Sequence, residues 1–577
     1  MRFSIVAAAA LLMAGAAVSP AQERRPDHPG PDSTLPRAAA REVARLYAEP
    51  HGLRGHGRTE IRAADVVEGH ASVIDGPLLV AGRVNGRVLA INADVILQAG
   101  ARIDGDLLIV GGDVEGLATA VVTGEIRVYR EPLRFSREGE RLIIEEVARE
   151  GDDDSWWRRW ERRRESPGRS RLVIASAGTY NRVEGLPVHV GPSLRMVRGS
   201  TRLRADAFAV FRTGSSFRSD SNDVGHHLAL EARHGSTTGL RAGIQGFNRV
   251  AAVESWQLSA LEYGMSAFLF RRDYLDLYGR HGGEGYLGVF DDRIGDATIS
   301  YSHERWSPRS SENPWSLFRR GAGWRENPAL DRGRFHVLTG RARIDTRNDN
   351  ERPWAGWYVQ ADVEQGAGDI DVAGVSSPET RGSAAGRANY TRGFLDARSY
   401  NRVGPAAQLN FRLVAGGWLG GDPLPLQRRL SVSGPGALPG FDFRTPIEAG
   451  ADPGTCAVGG AVPGRPALCD RIALAQVEYR GDLRFDVLGG ADWRRDDMYF
   501  RNDAMWVVFA DAGRGWLVGD GADRRMHYGP GDFPALSTFR TDMGIGLDFG
   551  TFGVFAVKAI SDGDEPVNFL FRLRHRF

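Results

Sequence analysis

Lysine is almost absent from this 577-residue chain: Lys558 stands alone among 74 basic residues, and 73 acidic ones leave a formal net charge of +1. Such a balance gives no electrostatic footprint for nucleic acid, and arginine clusters such as 158–164 stand without RNA- or DNA-binding motifs. Past the N-terminus there is no run of 18 or more apolar residues, which excludes a transmembrane helix there and leaves a closed barrel as the only way to span a membrane. No G-x-S-x-G elbow, H-E-x-x-H pair or Walker loop occurs, so the chain reads as a non-enzyme with no catalytic residues, cofactor or metal site. His281-Gly282-Gly283 and His226-His227 read as exposed loop histidines, and the GDDDS stretch at 151–155 reads as a solvated acidic turn. Cysteine is limited to Cys456 and Cys469, in CAVGGAVPGRPALC. With no histidine nearby to complete a zinc set, the pair reads as a loop-closing disulfide.

What is present falls into five stretches. Residues 1–21 carry Arg2, an apolar run from Ile5 to Val18, and small residues Ser19 and Ala21, the pattern of a secretory signal peptide. No cysteine follows the run, so a lipoprotein anchor is not expected. Residues 22–63 read as a linker with a short helix around RAAAREVARLYAEP. Residues 64–133 repeat: Val84, Gly86, Val88, Ile91, Asp94 and Val95 recur nineteen positions later as Ile103, Gly105, Leu107, Val110, Asp113 and Val114. A third copy, one residue shorter, begins at Ile74, Gly76 and Leu78. Short β runs broken by DG and GG turns at this period predict a β-solenoid whose valines stay half exposed until the next rung stacks. The segment resembles bactofilin-like polymer-forming repeats; a small antiparallel β domain is the other reading. Residues 134–170 are charged, with Trp156, Trp157 and Trp160 on one face of a possible helix. That face suits a membrane interface or the surface of a neighbouring domain equally.

From Arg171 to Phe577 alternating segments such as RLRADAFAVF, ATISYSHERW and MWVVFADAG follow one another, separated by loops of Gly, Asp, Asn, Pro and Ser, with no convincing amphipathic helix. In the last ten residues, NFLFRLRHRF, Phe569, Phe571, Leu573, His575 and Phe577 share one face while Arg572, Arg574 and Arg576 share the other, a period of two. At roughly 25 residues per strand and connection, about sixteen strands fit. The fold class is all-β, a transmembrane antiparallel barrel over 171–577 behind a short periplasmic solenoid.

Several motifs, in order, resemble the outer-membrane assembly-factor and bacterial surface-antigen barrel superfamily. ARIDTRNDNERPWAGWYVQADVE is similar to its strand-turn-strand, at Asp345, Arg347, Asn348, Pro353, Gly356 and Trp357. LPLQRRLSVSGPGALPGFDFR is similar to its lumenal loop, at Gly434, Gly436, Leu438, Gly440 and Phe441. VEYR (477–480), FADAG (509–513), GIGLDFG (544–550) and the terminal strand follow, and YNRVEGLPV (180–188) and DYLDLYGRHGG (273–283) look like earlier strands of related barrels. The resemblance implies an outer-membrane location in a Gram-negative envelope, a lipid environment, and reading of the C-terminal strand by the barrel-assembly machinery. It also implies that this strand pairs with the first, near RLVIASAGTY, to close the cylinder.

Two departures bear on function. The superfamily loop keeps an arginine before its Gly-aromatic pair, where this chain has Pro439; Arg444 is the candidate substitute, with Glu478 or Asp511 as its carboxylate. POTRA domains, which serve substrate capture, have no counterpart in the N-terminal region, where the solenoid stands as a possible site for a periplasmic partner. The expected function is envelope protein assembly, transport or envelope organisation; the alternative is a passive, arginine-lined, porin-like pore.

Overall fold

The computed structural model describes residues 37–577 except 130–132, 134, 139–140, 145–169, 215–223, 292–293, 319–320, 322, 329, 348–352, 354, 372–385, 405–406, 444–467, 484–503, 517, 519–532, 551 and 574. They form two compact units, one within Met1–Val147 and one within Ala148–Phe577. The signal-peptide stretch, the tryptophan-bearing stretch, Asn348, Arg444, Cys456 and Arg574 lie outside the described residues.

The first unit is a parallel β-solenoid of four three-strand turns plus one further strand, Ile126–Tyr129. Its first turn, His51–His56, Thr59–Ile61 and Val66–Glu68, begins inside the stretch read as linker. The nineteen-residue repeat is the stacking register: Val84 pairs with Ile103, Val88 with Leu107 and Val95 with Val114. The third copy is set differently from the sequence reading. Ile74 stacks on Ile91 and Leu78 on Val95, an offset of seventeen, so the shorter turn loses two residues rather than one. The glycines mark a corner where rungs touch: a Cβ on Gly105 would lie 2.7 Å from the Gly86 backbone, and one on Gly86 2.4 Å from Gly69 O.

Inward side chains such as Val73, Val88, Ala90, Leu107 and Ile109 fill the solenoid. Their neighbours Ile74, Leu89, Ile91, Leu108 and Val110 point the other way and are buried by Val43, Leu46 and Tyr47 of the helix Arg37–Ala48. Both faces of this sheet are thus covered, which is why VLAI and LLIV are buried throughout without alternating. Arg127 clasps Glu42 of the helix through two 2.9 Å bonds, and Asn92 exchanges two 2.9 Å bonds with the backbone of Leu133.

The second unit is a sheet of sixteen strands, from Ser170–Ser176 to Asn568–Arg572, in strict sequence order with every neighbour antiparallel. Its faces are inverted relative to a water-soluble sandwich. On Gly295–Pro308, Ile299 and Tyr301 are half exposed while Ser302, Glu304 and Trp306 on the other face are buried. Leu172, Ile174, Leu194, Met196, Leu230, Ile244, Leu287, Leu413, Ile545 and Phe569 continue the apolar outer face. Asp206, Asp296, Asp396, Gln476, Glu478, Arg480, Asp511 and Asp542 continue the buried polar one. An apolar exterior around a polar interior is the arrangement that a lipid solvent selects.

Two expectations need correction. The last strand stops at Arg572 instead of running to Phe577, and the chain then leaves the sheet: Phe569 is 78% exposed, whereas Phe577 is 8% exposed. Among the described residues, the last strand pairs only with Gly553–Ala559 and the first only with Pro187–Arg198, so no ladder joins the two ends of the sheet. The physical reason is in the tail, where His575 and Arg576 find Asp548 and Asp511 on the inner face and draw the chain off the strand line beyond Arg572.

Candidate functional site

The connection Asp422–Asp470 enters the interior of the sheet, and its described residues, 422–443 and 468–470, are held at close intervals. The Leu426 N–H donates to Asp331 Oδ2 at 2.8 Å. Arg428 reaches Glu364 (Nε to Oε1, 2.6 Å) and the Tyr278 hydroxyl (2.7 Å), with its guanidinium 4.3 Å from the Trp306 ring centroid. Arg429 pairs with Asp470 at 3.3 Å. Further along, Ser431 N–H donates to Glu254 at 3.2 Å, and Gln476 Nε2 donates to Ala437 O at 2.9 Å. Leu430, Val432, Leu438 and Phe441 pack with Val414, Ile472 and Leu474 into a buried apolar cluster.

At the loop's tip the Gly440 N–H donates to Asp542 Oδ2 at 2.7 Å, and Asn568 Nδ2 donates to Pro439 O at 3.2 Å. A Cβ at Gly440 would stand 2.7 Å from Asp542 Cβ, and one at Gly436 1.8 Å from Gln257 O, so both glycines are required by close approach. Gly434 adopts φ +118°, and Leu438 and Phe441 are buried.

The carboxylates expected to receive Arg444, which lies outside the described residues, have partners among the described residues. Asp511 pairs with Arg576, whose guanidinium lies 3.3 Å from the Phe509 ring centroid. Glu478 pairs with Arg480, and Arg480 also meets Asp548 at 2.6 Å. His575 Nδ1 lies 2.8 Å from Asp548 Oδ2. On this wall the cations come from Arg480 of the strand Arg471–Asp482 and from His575 and Arg576 of the C-terminal tail, and the described loop tip contributes the Gly440 backbone donor.

A second inward segment precedes the strand Leu277–Asp291. It contains the helix Ala260–Phe270, whose Ser259 and Glu262 form a capping box. Glu262 also receives Arg572 Nε at 2.6 Å and the Leu573 N–H at 3.1 Å. Burial pushes the Glu262 carboxyl up, and the Arg572 charge with the Ser259 bonds outweighs it, leaving the group below its ordinary value. The helix and this pair escaped the sequence reading; the S-x-x-E spacing in SALE is the signal that marks them. Arg428 was likewise passed over, although a dibasic pair inside LPLQRRL is conspicuous for a buried stretch.

The two upstream motifs meet in space. Arg182 of YNRVEGLPV, fully buried, is 2.9 Å from Asp273 and 3.2 Å from Asp276 of DYLDLYGRHGG, and Arg325 joins Asp276 at 2.7 Å. In the strand-turn motif, Arg347 Nε holds Asp345 at 3.0 Å, and Gly356 takes φ +108° at the strand's re-entry. Trp357 is exposed, and Pro353 O accepts from Gln408 at 2.8 Å. Phe569 and Phe571 face outward, and Leu573 and His575 are half buried beyond the strand end. Cys469 is buried and exchanges backbone bonds of 2.7 and 3.1 Å with Leu430.

No protein-family model and no curated protein matches the chain. Among solved structures it is similar to BamA from Haemophilus ducreyi lacking POTRA domains 1–3, with 14% identity and a TM-score of 0.37 over 70% of each chain. It is also similar to CdiB from Acinetobacter baumannii, with 8% identity and a TM-score of 0.28 over 70% of this chain and 64% of that one. For CdiB from Escherichia coli the identity is 10% and the TM-score 0.29, over 71% of this chain and 62% of that one, so less than two thirds of either CdiB is covered. In fold, the chain is a sixteen-stranded antiparallel sheet of barrel type, apolar outside and polar inside, preceded in sequence by a short parallel β-solenoid.

Proposed function

We propose that this chain is an outer-membrane barrel acting on other envelope proteins, in their assembly or transport, with its solenoid on the periplasmic side as a docking element for a partner. The observation that carries the reading is the seam between Ser170–Ser176 and Asn568–Arg572, each paired on one side only among the described residues. A strand edge facing lipid carries unsatisfied N–H and C=O groups, and the cheapest way to satisfy them is another strand. Such an edge can template an incoming β-segment by main-chain hydrogen bonding. The work is strand exchange and needs no bond chemistry, so the protein is taken as a non-enzyme.

A passive arginine-lined pore asks for free cations around an open bore. Arg412, Arg428, Arg480 and Arg576 are instead buried and paired, and the Leu424–Phe443 segment occupies the interior. The test is site-specific photo-crosslinking in cells from Ile174 and Phe571 at the seam, with Leu287 on a mid-sheet strand as control. Adducts to other envelope β-proteins should form at the two seam positions and not at Leu287. The same products from all three positions, or none containing protein, would refute the reading.

A further inference from the structure

Charged side chains on this sheet mostly face inward and are paired, whereas Arg305 and Arg334 face outward. They sit directly opposite each other on neighbouring strands, both are exposed, and neither meets a carboxylate among the described residues. Asp369, in register with Arg334 on the next strand, is engaged by Arg387 at 3.7 Å. Two like charges facing across a strand pair repel unless an anion lies between them. His281 stands opposite Arg305 on the other side. One outward row further along, His303 and His336 are opposite each other with rings stacked at 4.4 Å, and His336 Nδ1 lies 2.7 Å from the Tyr301 hydroxyl.

Tyr301 is also a wall of a groove of about 620 Å³ on the same outer face, completed by Leu230, Ile244, Leu287, Ile299 and Leu338. The groove exists because Gly285, in register with Tyr301, has no side chain. Successive outward residues are about 6.6 Å apart along a strand, so Ile299 to Arg305 spans about 20 Å, the scale of an acyl chain with its headgroup.

We infer that this face is a binding site for an anionic, phosphate-bearing acyl lipid, with the phosphate between Arg305 and Arg334 and a chain in the groove below. Guanidinium forks match phosphate oxygens in pairs, and the histidines and Tyr301 supply donors at the depth where an aromatic belt meets headgroups. A zwitterionic lipid would fill the groove equally well and leave the two arginine charges poorly balanced. The inference rests on the reading of the sheet as a membrane-spanning barrel.

The experiment uses full-length protein reconstituted in phosphatidylcholine vesicles, with spin-labelled phosphatidylglycerol or spin-labelled phosphatidylcholine as probe. Retention in the vesicles after a urea wash is scored first; protein that washes off overturns the barrel reading and this site with it. For retained protein, the motionally restricted fraction should favour phosphatidylglycerol about fivefold, as expected of one arginine's attraction at a membrane surface. The doubly substituted Arg305→Gln, Arg334→Gln protein should lose that preference while restricting phosphatidylcholine as before. Gly285→Leu, whose Cβ meets nothing nearer than 3.9 Å, should reduce restriction of both probes. Retained wild-type protein with no preference, or a double variant that keeps it, overturns the lipid site and leaves the barrel reading standing.

Discussion

Arg572 on the last strand and Glu262 in the first turn of the helix Ala260–Phe270 form a buried ion pair, Nε to Oε1 2.6 Å, joining segments 310 residues apart. Removing one partner strands the other charge in a site with little water, a loss of about 3 kcal/mol or more. Glu262→Gln should therefore lower the barrel's unfolding midpoint in detergent, and Arg572→Gln should lower it by a similar amount. Because both variants break one contact, the double variant should be no worse than either single one. Additive losses in that cycle would show that the two residues act independently.

The same pair sets a pH dependence. The Glu262 carboxyl is held below its ordinary value in the folded chain, where burial raises it and Arg572 lowers it more. A depressed carboxylate contributes stability that is complete above the unfolded value of about 4.3 and is lost as the pH falls through the folded value. The difference in unfolding free energy between wild type and Glu262→Gln should be constant from neutral pH down to about pH 5 and shrink below about 4. A difference that grows on acidification would contradict the assigned charge state.

The C-terminal tail combines two roles that substitution can separate. As the resemblance implies, the terminal aromatic is the element read during barrel assembly, so deletion of Phe577 should reduce the folded, heat-modifiable form in cells. Arg576 pairs with Asp511 and lies over Phe509, contacts of the folded chain, so its expected contribution is to stability rather than to recognition. Arg576→Gln should reach the membrane in normal amount and unfold more easily, by about 3 kcal/mol or more. An Arg576→Gln protein that fails to assemble while the Phe577 deletion assembles normally would reverse these assignments.

Legibility in the sequence followed the strength of the periodic signal. The alternation of RLRADAFAVF or MWVVFADAG is tied to one face in lipid and one in the interior, and about sixteen strands could be read from it. The nineteen-residue solenoid repeat was legible because Gly86 and Gly105 occupy a corner with no room for a Cβ. The third copy was set out of register, on Ile74, Gly76 and Leu78, whereas Val67 stacks on Val84 and Ala71 on Val88, because so short a motif recurs off the stacking register. The terminal strand was read too long: Leu573, His575 and Phe577 keep the alternation, and a period of two cannot show that Arg576 leaves the ladder for a carboxylate 65 residues upstream. For the same reason the lumenal loop was recognised by its glycines, whereas its anchor, Arg428, was not. Its partners Glu364 and Tyr278 are 64 and 150 residues away, each in a different motif, and no local pattern links them to Arg428.

Cys456 and Cys469 are expected to form a disulfide that closes a loop of about 14 residues and constrains the unfolded chain by about 3 kcal/mol. Alkylation of unreduced exported protein should detect no free thiol. Cys469→Ser should lower the midpoint even without reductant, because the exchanged bonds with Leu430 place residue 469 in the packed base of the lumenal loop. Two thiols labelled in unreduced protein would rule the disulfide out.

The loop lock gives the sharpest test. Arg444, expected to hold the loop, lies outside the described residues, and the geometry assigns an anchor to Arg428, bonded to Glu364 and Tyr278 and stacked near Trp306. Arg428→Ala removes a buried cation and leaves Glu364 in the interior without it, a loss of about 3–5 kcal/mol. Arg514 donates to Thr538 O at 2.7 Å and so cannot serve as a surface control. Arg202→Ala, at an exposed position near a hairpin turn, is the better control and should leave stability within about 0.5 kcal/mol of wild type. In planar bilayers wild type should conduct little and flicker, because the Leu424–Phe443 segment fills the interior. Arg428→Ala should give larger and steadier openings as that segment loosens. A wild type that already conducts steadily would restore the passive-pore reading. If Arg428→Ala and Arg202→Ala behave alike, the segment is held by the Gly440–Asp542 contact and its apolar packing rather than by the arginine.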